Sequence, residues 1–144
     1  MKLSDIQTEW ESDCKVDRTE LGEESLRIPQ LHSKYFKIFS QERMRLKEMK
    51  REYNTLFRVK YEYYTGTLSE EDLKDNNWEP WPLRVLKNDL PIYFNADVDL
   101  VQCQKNTDLQ EEKVDFIESI IKSLSTRGYQ IKAAIDWVKF TNGV

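Results

Sequence analysis

The sequence predicts an all-α protein. Two observations carry that expectation: long stretches whose apolar residues recur at steps of three, four and seven, and residues suited to starting or stopping a helix at the borders of those stretches. A chain of 144 residues is long enough for one domain with a modest core. Seven Tyr, six Phe and four Trp argue against disorder, while 33% charged residues mean that much helix surface must be solvated or buried against copies of the chain.

The elements follow in order. Ser4 with Gln7 three residues later reads as a capping box, and Leu3, Ile6 and Trp10 then give a short amphipathic docking helix. The acidic stretch from Asp17 to Ile28 ends at Pro29, where the missing N–H and the clash with the preceding turn predict a break. From about Pro29 to Tyr64, residues Tyr35, Phe39, Leu46, Met49, Tyr53, Leu56 and Phe57 mark one long amphipathic helix. At 1.5 Å per residue its ~35 residues reach ~50 Å, more than the ~30 Å width of a compact domain, so it must project or lie along a partner.

Thr65 and Gly66 end that helix, with Gly66 as a left-handed cap, and Ser69 starts another short turn. Residues 76–82, with Trp78, Pro80, Trp81 and Pro82, read as an ordered loop whose tryptophans are pinned to the helices. Residues 83–95 fit either a short helix with an extended piece or a minor strand pair. Asp97 can cap a second long helix with a seam of Cys103, Val114, Ile117, Ile121 and Leu124, terminated at Gly128. A last helix over about 129–140 places Ile131, Ala134, Ile135 and Val138 on one side, a face with no evident partner in its own subunit. The organisation expected is therefore a helical region over 1–128 and an oligomerisation helix over 129–144, within one structural unit.

Several function classes are excluded. The four glycines are isolated, so neither a P-loop nor a dinucleotide-binding turn can be written. His32 is the only imidazole, and Cys14 and Cys103 lack metal-ligand spacing, so no metal or cofactor is expected and the cysteines read as reduced thiols. Glu70-Glu71 and Glu111-Glu112 read as a helix start and a solvated helix face rather than as catalytic carboxylates. Nothing points to an enzyme. No run approaches the ~18 apolar residues that span a bilayer, and the start of the chain does not resemble a secretion signal, which predicts a cytosolic protein without membrane contact.

The net charge of −4 counts against nucleic-acid binding until its distribution is read. Between Lys34 and Lys60 nine Lys or Arg face three acids, whereas residues 1–24 hold eight acids and three bases. Single-strand binding needs cations that follow phosphates and aromatic faces on which bases stack, and residues 34–39, 43–53 and 57–64 supply both. Tyr and Phe at these spacings are more often core; Tyr61, Tyr63 and Tyr64 are those for which both roles stay open.

Three stretches carry a family resemblance. They are Ser33-Lys34-Tyr35 leading into the basic helix, residues 57–66 (FRVKYEYYTG) closing it, and residues 125–132 (STRGYQIK) near the carboxy terminus. In content and order, and with the amino-terminal residues from Met1 to Gln7, they resemble the UvsY recombination mediators of T-even-like phages, residues 67–110 least. The resemblance implies a protein that binds single-stranded DNA, contacts the phage recombinase and the phage single-strand-binding protein, and helps the recombinase load during homologous recombination, replication and repair. It places the protein in the cytoplasm of the infected bacterial host. It also implies a ring-like homo-oligomer, a heptamer, assembled through carboxy-terminal helices.

In that family a basic pair in a pattern close to Leu-Lys-Ala-Arg is tied to DNA binding. The matching positions here are Phe57-Arg58-Val59-Lys60, with Lys and Arg exchanged, which keeps charge but not fork geometry. Two residues on a helix differ by about 200°, so Arg58 and Lys60 cannot both face one phosphate track unless neighbouring subunits share the strand. Lys47, Arg51 and Arg58 lie near one face and form the phosphate track that the residues themselves suggest; Arg43, Lys50 and Tyr61 complete the candidate DNA-binding set. The rival reading is a helical scaffold or assembly protein that uses the same basic helix for protein contacts.

Overall fold

The computed structural model describes residues 1–143. It comprises α1 (Leu3–Asp13), α2 (Leu21–Thr65), α3 (Glu70–Asp75), a 3-10 turn (Lys87–Asp89), α4 (Leu90–Ala96) and α5 (Val98–Thr141), with no strand among the described residues. The all-α expectation holds, and the ambiguous stretch 83–95 is an irregular segment, the 3-10 turn and α4 rather than a strand pair. Two compact units share the long helices: unit one is Met1–Met44 with Glu111–Val144, and unit two is Arg45–Gln110.

Three helix borders differ from those the sequence suggests. Helix α1 starts at Leu3, and the carboxylate of Asp5, rather than a Ser4–Gln7 box, accepts the Lys2 backbone N–H at 3.3 Å. Helix α2 starts at Leu21 and continues through Pro29. An interior proline removes one backbone hydrogen bond and costs about 3 kcal/mol. Anchors on either side outweigh it: Arg27 pairs with Asp13 at 3.1 Å and with Glu24 at 3.5 Å, and Leu31 is buried. Helix α5 likewise runs through Gly128, so 129–140 is its last part and not a separate helix. The interior glycine costs about 1 kcal/mol relative to alanine, and its neighbours Arg127 and Ile131 are both buried.

In unit one, α1 docks on α2 and α5. Ile6 and Tyr35 are fully buried, with Leu31, Phe39, Val114, Ile117, Ile120, Leu124 and Ile131 around them. Trp10 meets Tyr35 edge-on at 5.4 Å. The carboxylate of Asp13 accepts from Arg27, from Lys34 at 2.7 Å and from the Tyr35 hydroxyl at 2.8 Å. The buried Arg127 guanidinium donates to the backbone carbonyls of Asp13, Cys14 and Lys15 at 2.8–3.2 Å. These are the orphan acceptors at the end of α1 and just beyond it, and a cation there also suits the helix dipole. Arg127 thereby fixes the docking helix from across the chain.

In unit two the end of α2 and the start of α5 are antiparallel, and residues 66–97 form the connection between them. Gly66 takes φ 76°, letting Thr67 N–H bond back to the Glu62 carbonyl at 2.9 Å, the left-handed stop expected for α2. Ser69 caps α3 by accepting from Asp72 N–H at 3.2 Å. Trp78 and Trp81 are pinned as expected, 5.1 and 5.8 Å from the Tyr63 ring. Asp97 caps α5, accepting from Leu100 N–H at 2.9 Å.

Candidate nucleic-acid interface

The candidate residues divide by their angle around α2. At 100° per residue, Arg51 and Arg58 lie about 40° and 20° from Lys47 on one side, Tyr61 and Lys50 about 40° and 60° on the other, and Lys60 about 140° away. Burial follows that division: Lys47, Lys50, Arg51, Arg58 and Tyr61 are exposed, whereas Lys60 is buried, 5% exposed. Arg43 belongs to unit one, where its guanidinium sits 4.9 Å from the centre of the Phe39 ring.

The exposed cations are held loosely. Arg51 pairs with Glu48 at 3.2 Å and Arg58 with Glu62 at 3.4 Å, both within α2, with the arginine side chains 66% and 68% exposed. Such pairs are worth about 0.3–0.5 kcal/mol each, so a phosphate can replace the glutamate at little cost.

Lys60, also expected in the DNA-binding set, is placed apart from the exposed cations. Its ammonium donates to Asp99 at 2.8 Å, pairs with Asp97 at 3.1 Å and lies 4.0 Å from the centre of the Trp78 ring. The same Asp97 carboxylate accepts from the Tyr64 hydroxyl at 2.5 Å. Burial pushes the Asp97 carboxyl up, but the bonds from Tyr64, Leu100 N–H and Lys60 outweigh it and hold it below its ordinary value. Burial and the bond to Asp97 both raise the Tyr64 phenol. The 200° argument therefore holds in the structure: Arg58 faces solvent, and Lys60 faces the protein.

Of the three tyrosines left open, Tyr64 is core, Tyr63 is half-buried and donates to the Glu79 carbonyl at 2.7 Å, and Tyr61 is exposed. Sequence reasoning assigned Phe57 to the core and passed over Phe94. The Phe57 ring is 37% exposed and lies 4.8 Å from Phe94, with Tyr61 at 6.4 Å from Phe94 and Tyr53 at 6.3 Å from Phe57. Only the i, i+4 spacing of Tyr53, Phe57 and Tyr61 signalled this row, and core packing uses the same spacing.

The carboxy-terminal residues also divide. Ile131 lies buried in the core of unit one, Ala134 and Ile135 are half-buried and Val138 is exposed. Beside Val138, Trp137 and Phe140 are 64% and 76% exposed. No group of side chains suited to a metal ion and no helix long and apolar enough to cross a membrane occurs among the described residues.

These features define an all-helical protein that presents a cationic, aromatic-edged helix surface. The chain belongs to the UvsY family, described as "Recombination, repair and ssDNA binding protein UvsY", whose match spans residues 9–144. Among relatives, the recombination protein uvsY of Enterobacteria phage T4 is 22% identical over 143 residues, 99% of each chain. Crystal structures of the bacteriophage T4 recombination mediator protein UvsY share the fold. The lattice type II structure superimposes with a TM-score of 0.87 at 22% identity, covering 99% of this chain and 98% of the other. Lattice type IV gives 0.85 at 21% identity, covering 97% and 99%.

Proposed function

We propose that this chain is a recombination mediator that binds single-stranded DNA and helps a phage recombinase replace single-strand-binding protein on it during recombination, replication and repair. The observation that carries the reading is the solvent-facing track of Lys47, Arg51 and Arg58, in which the weak glutamate pairs of the two arginines yield to phosphate. Lys50 and Tyr61 border the track in unit two, and Arg43 adds charge in unit one. The protein works as a binding protein, without cofactor or catalysis, in the cytoplasm of the infected host.

Self-assembly into a ring, with seven subunits as the reading of choice, multiplies these contacts by effective concentration. The exposed Trp137, Val138 and Phe140 support an interface at the end of α5. Fluorescence anisotropy of a labelled oligonucleotide across a salt series tests the central claim. Affinity should fall with salt at a log–log slope of about −0.7 per neutralised phosphate. Salt-independent binding, or none, would favour a helical scaffold that uses the basic track for protein contacts.

A further inference from the structure

Beside the basic track, unit two carries a cleft that phosphate binding alone leaves unexplained. It has a volume of about 240 Å³ and is lined by Tyr53, Phe94, Asn95, Leu100, Val101, Gln104 and Lys105. Phe57 and Tyr61 extend the aromatic wall outward along α2. Around that helix, Phe57 lies about 100° from Arg58 and about 20° from Lys50, so a strand whose phosphates follow the track has its bases beside the rings. The lining also has a polar part: Gln104 is fixed by a 2.7 Å bond from Nε2 to Asp108, and Lys105 and Asn95 are exposed. Aromatic faces, carboxamides and flanking cations together match the requirements of a nucleobase on a polyanionic strand.

We propose that this cleft is a nucleobase-binding site, in which a base of bound single-stranded DNA stacks on Tyr53 or Phe94, the rings that line it, with Lys105 meeting a phosphate on the side away from Arg58. Stacking tolerates every base, so the site adds affinity for single strands without sequence preference. The proposal rests on the single-strand-binding reading above and adds that bases, not only phosphates, are bound.

The test compares the full-length protein binding oligothymidylate and an abasic strand of equal length, each across a salt series. Oligothymidylate should bind more tightly by about 5- to 150-fold per engaged cleft, which corresponds to the ~1–3 kcal/mol of one stacked base. Phe94→Leu, and the surface variant Gln104→Glu, should lose most of that advantage while the abasic strand binds Phe94→Leu as before. Gln104→Glu alters an exposed position, so it keeps the test decisive if Phe94→Leu unfolds by circular dichroism. Equal binding of the two strands, or variants that retain the full advantage, would overturn the proposal while leaving phosphate binding intact. Failure of both strands to bind would instead remove the reading on which it rests.

Discussion

Exchange of Lys60 for methionine should destabilise the protein, whereas exchange of Arg58 for alanine should weaken DNA binding with little effect on stability. Lys60 is 5% exposed, and its partner Asp97 has a side chain only 4% exposed. Removing one member of a buried pair strands the other charge, at a typical cost of 3–5 kcal/mol. Asp97 keeps its bonds from Tyr64 and Leu100 N–H, and Asp99 is half exposed, so the lower end, about 3 kcal/mol, applies here. For a chain of this size that is a fall of roughly 10 °C in Tm. Arg58 is 68% exposed with one weak pair, so its loss should cost under about 0.5 kcal/mol. In DNA binding the order reverses: Arg58→Ala should reduce affinity and flatten the salt slope by about 0.7, and folded Lys60→Met should leave the slope unchanged. Thermal denaturation followed by circular dichroism, with anisotropy salt titrations on the same samples, reads both quantities. A Lys60→Met protein with unaltered Tm and a slope flattened like that of Arg58→Ala would refute the division of labour.

Three other perturbations have definite expected outcomes. Gly128→Ala should stabilise the protein by about 1 kcal/mol, because a Cβ there meets nothing within 4 Å and the helix continues through it; a loss of stability in urea denaturation would instead indicate a left-handed cap. Asp13 and Asp97 both lie below the ordinary 3.8, so their contribution should be complete above about pH 4 and disappear as pH falls through the lower folded values. Urea midpoints should therefore fall steeply between pH 4 and pH 2, and Asp97→Asn should shrink that fall; midpoints equally low at pH 6 would contradict the sign. Trp137→Glu with Phe140→Glu should reduce particle mass in analytical ultracentrifugation while α5 stays helical, and an unchanged mass would remove the end of α5 from the interface.

The features legible in the sequence are those whose chemistry is local. Gly66, Ser69 and Asp97 each close or open a helix through a bond to a residue within five positions, and their roles were readable from composition and spacing alone. Pro29 and Gly128 misled for the complementary reason. Their penalties of about 3 and 1 kcal/mol are local, but the compensating burial of Leu31, Arg127 and Ile131 comes from distant segments. The contacts that decide the candidate site are the least local of all. Lys60 reaches Asp99 across 39 positions, and Arg127 reaches the end of α1 across more than 110. A basic residue two positions from another reads as a second phosphate ligand until its carboxylate partners are seen.

The exchange of Lys and Arg within the basic pair acquires a physical sense from those partners. Position 60 needs a compact cation, because its charge sits between two carboxylates and over the face of Trp78 at 4.0 Å. Lysine supplies a point charge with three donors, whereas a planar guanidinium would have to find room for its fork between the same groups. Position 58 has the opposite requirement. It is open to solvent on the surface proposed to bind phosphates, and there arginine's five donors would be the advantage. The order Arg58-Val59-Lys60 thus matches each cation to its surroundings, one open to solvent and the other holding the start of α5 and the tryptophan loop against α2. On this account, loss of DNA binding after mutation of Lys60 would reflect displacement of the surface that carries Arg58 and Phe57, and loss after mutation of Arg58 would reflect a missing phosphate contact.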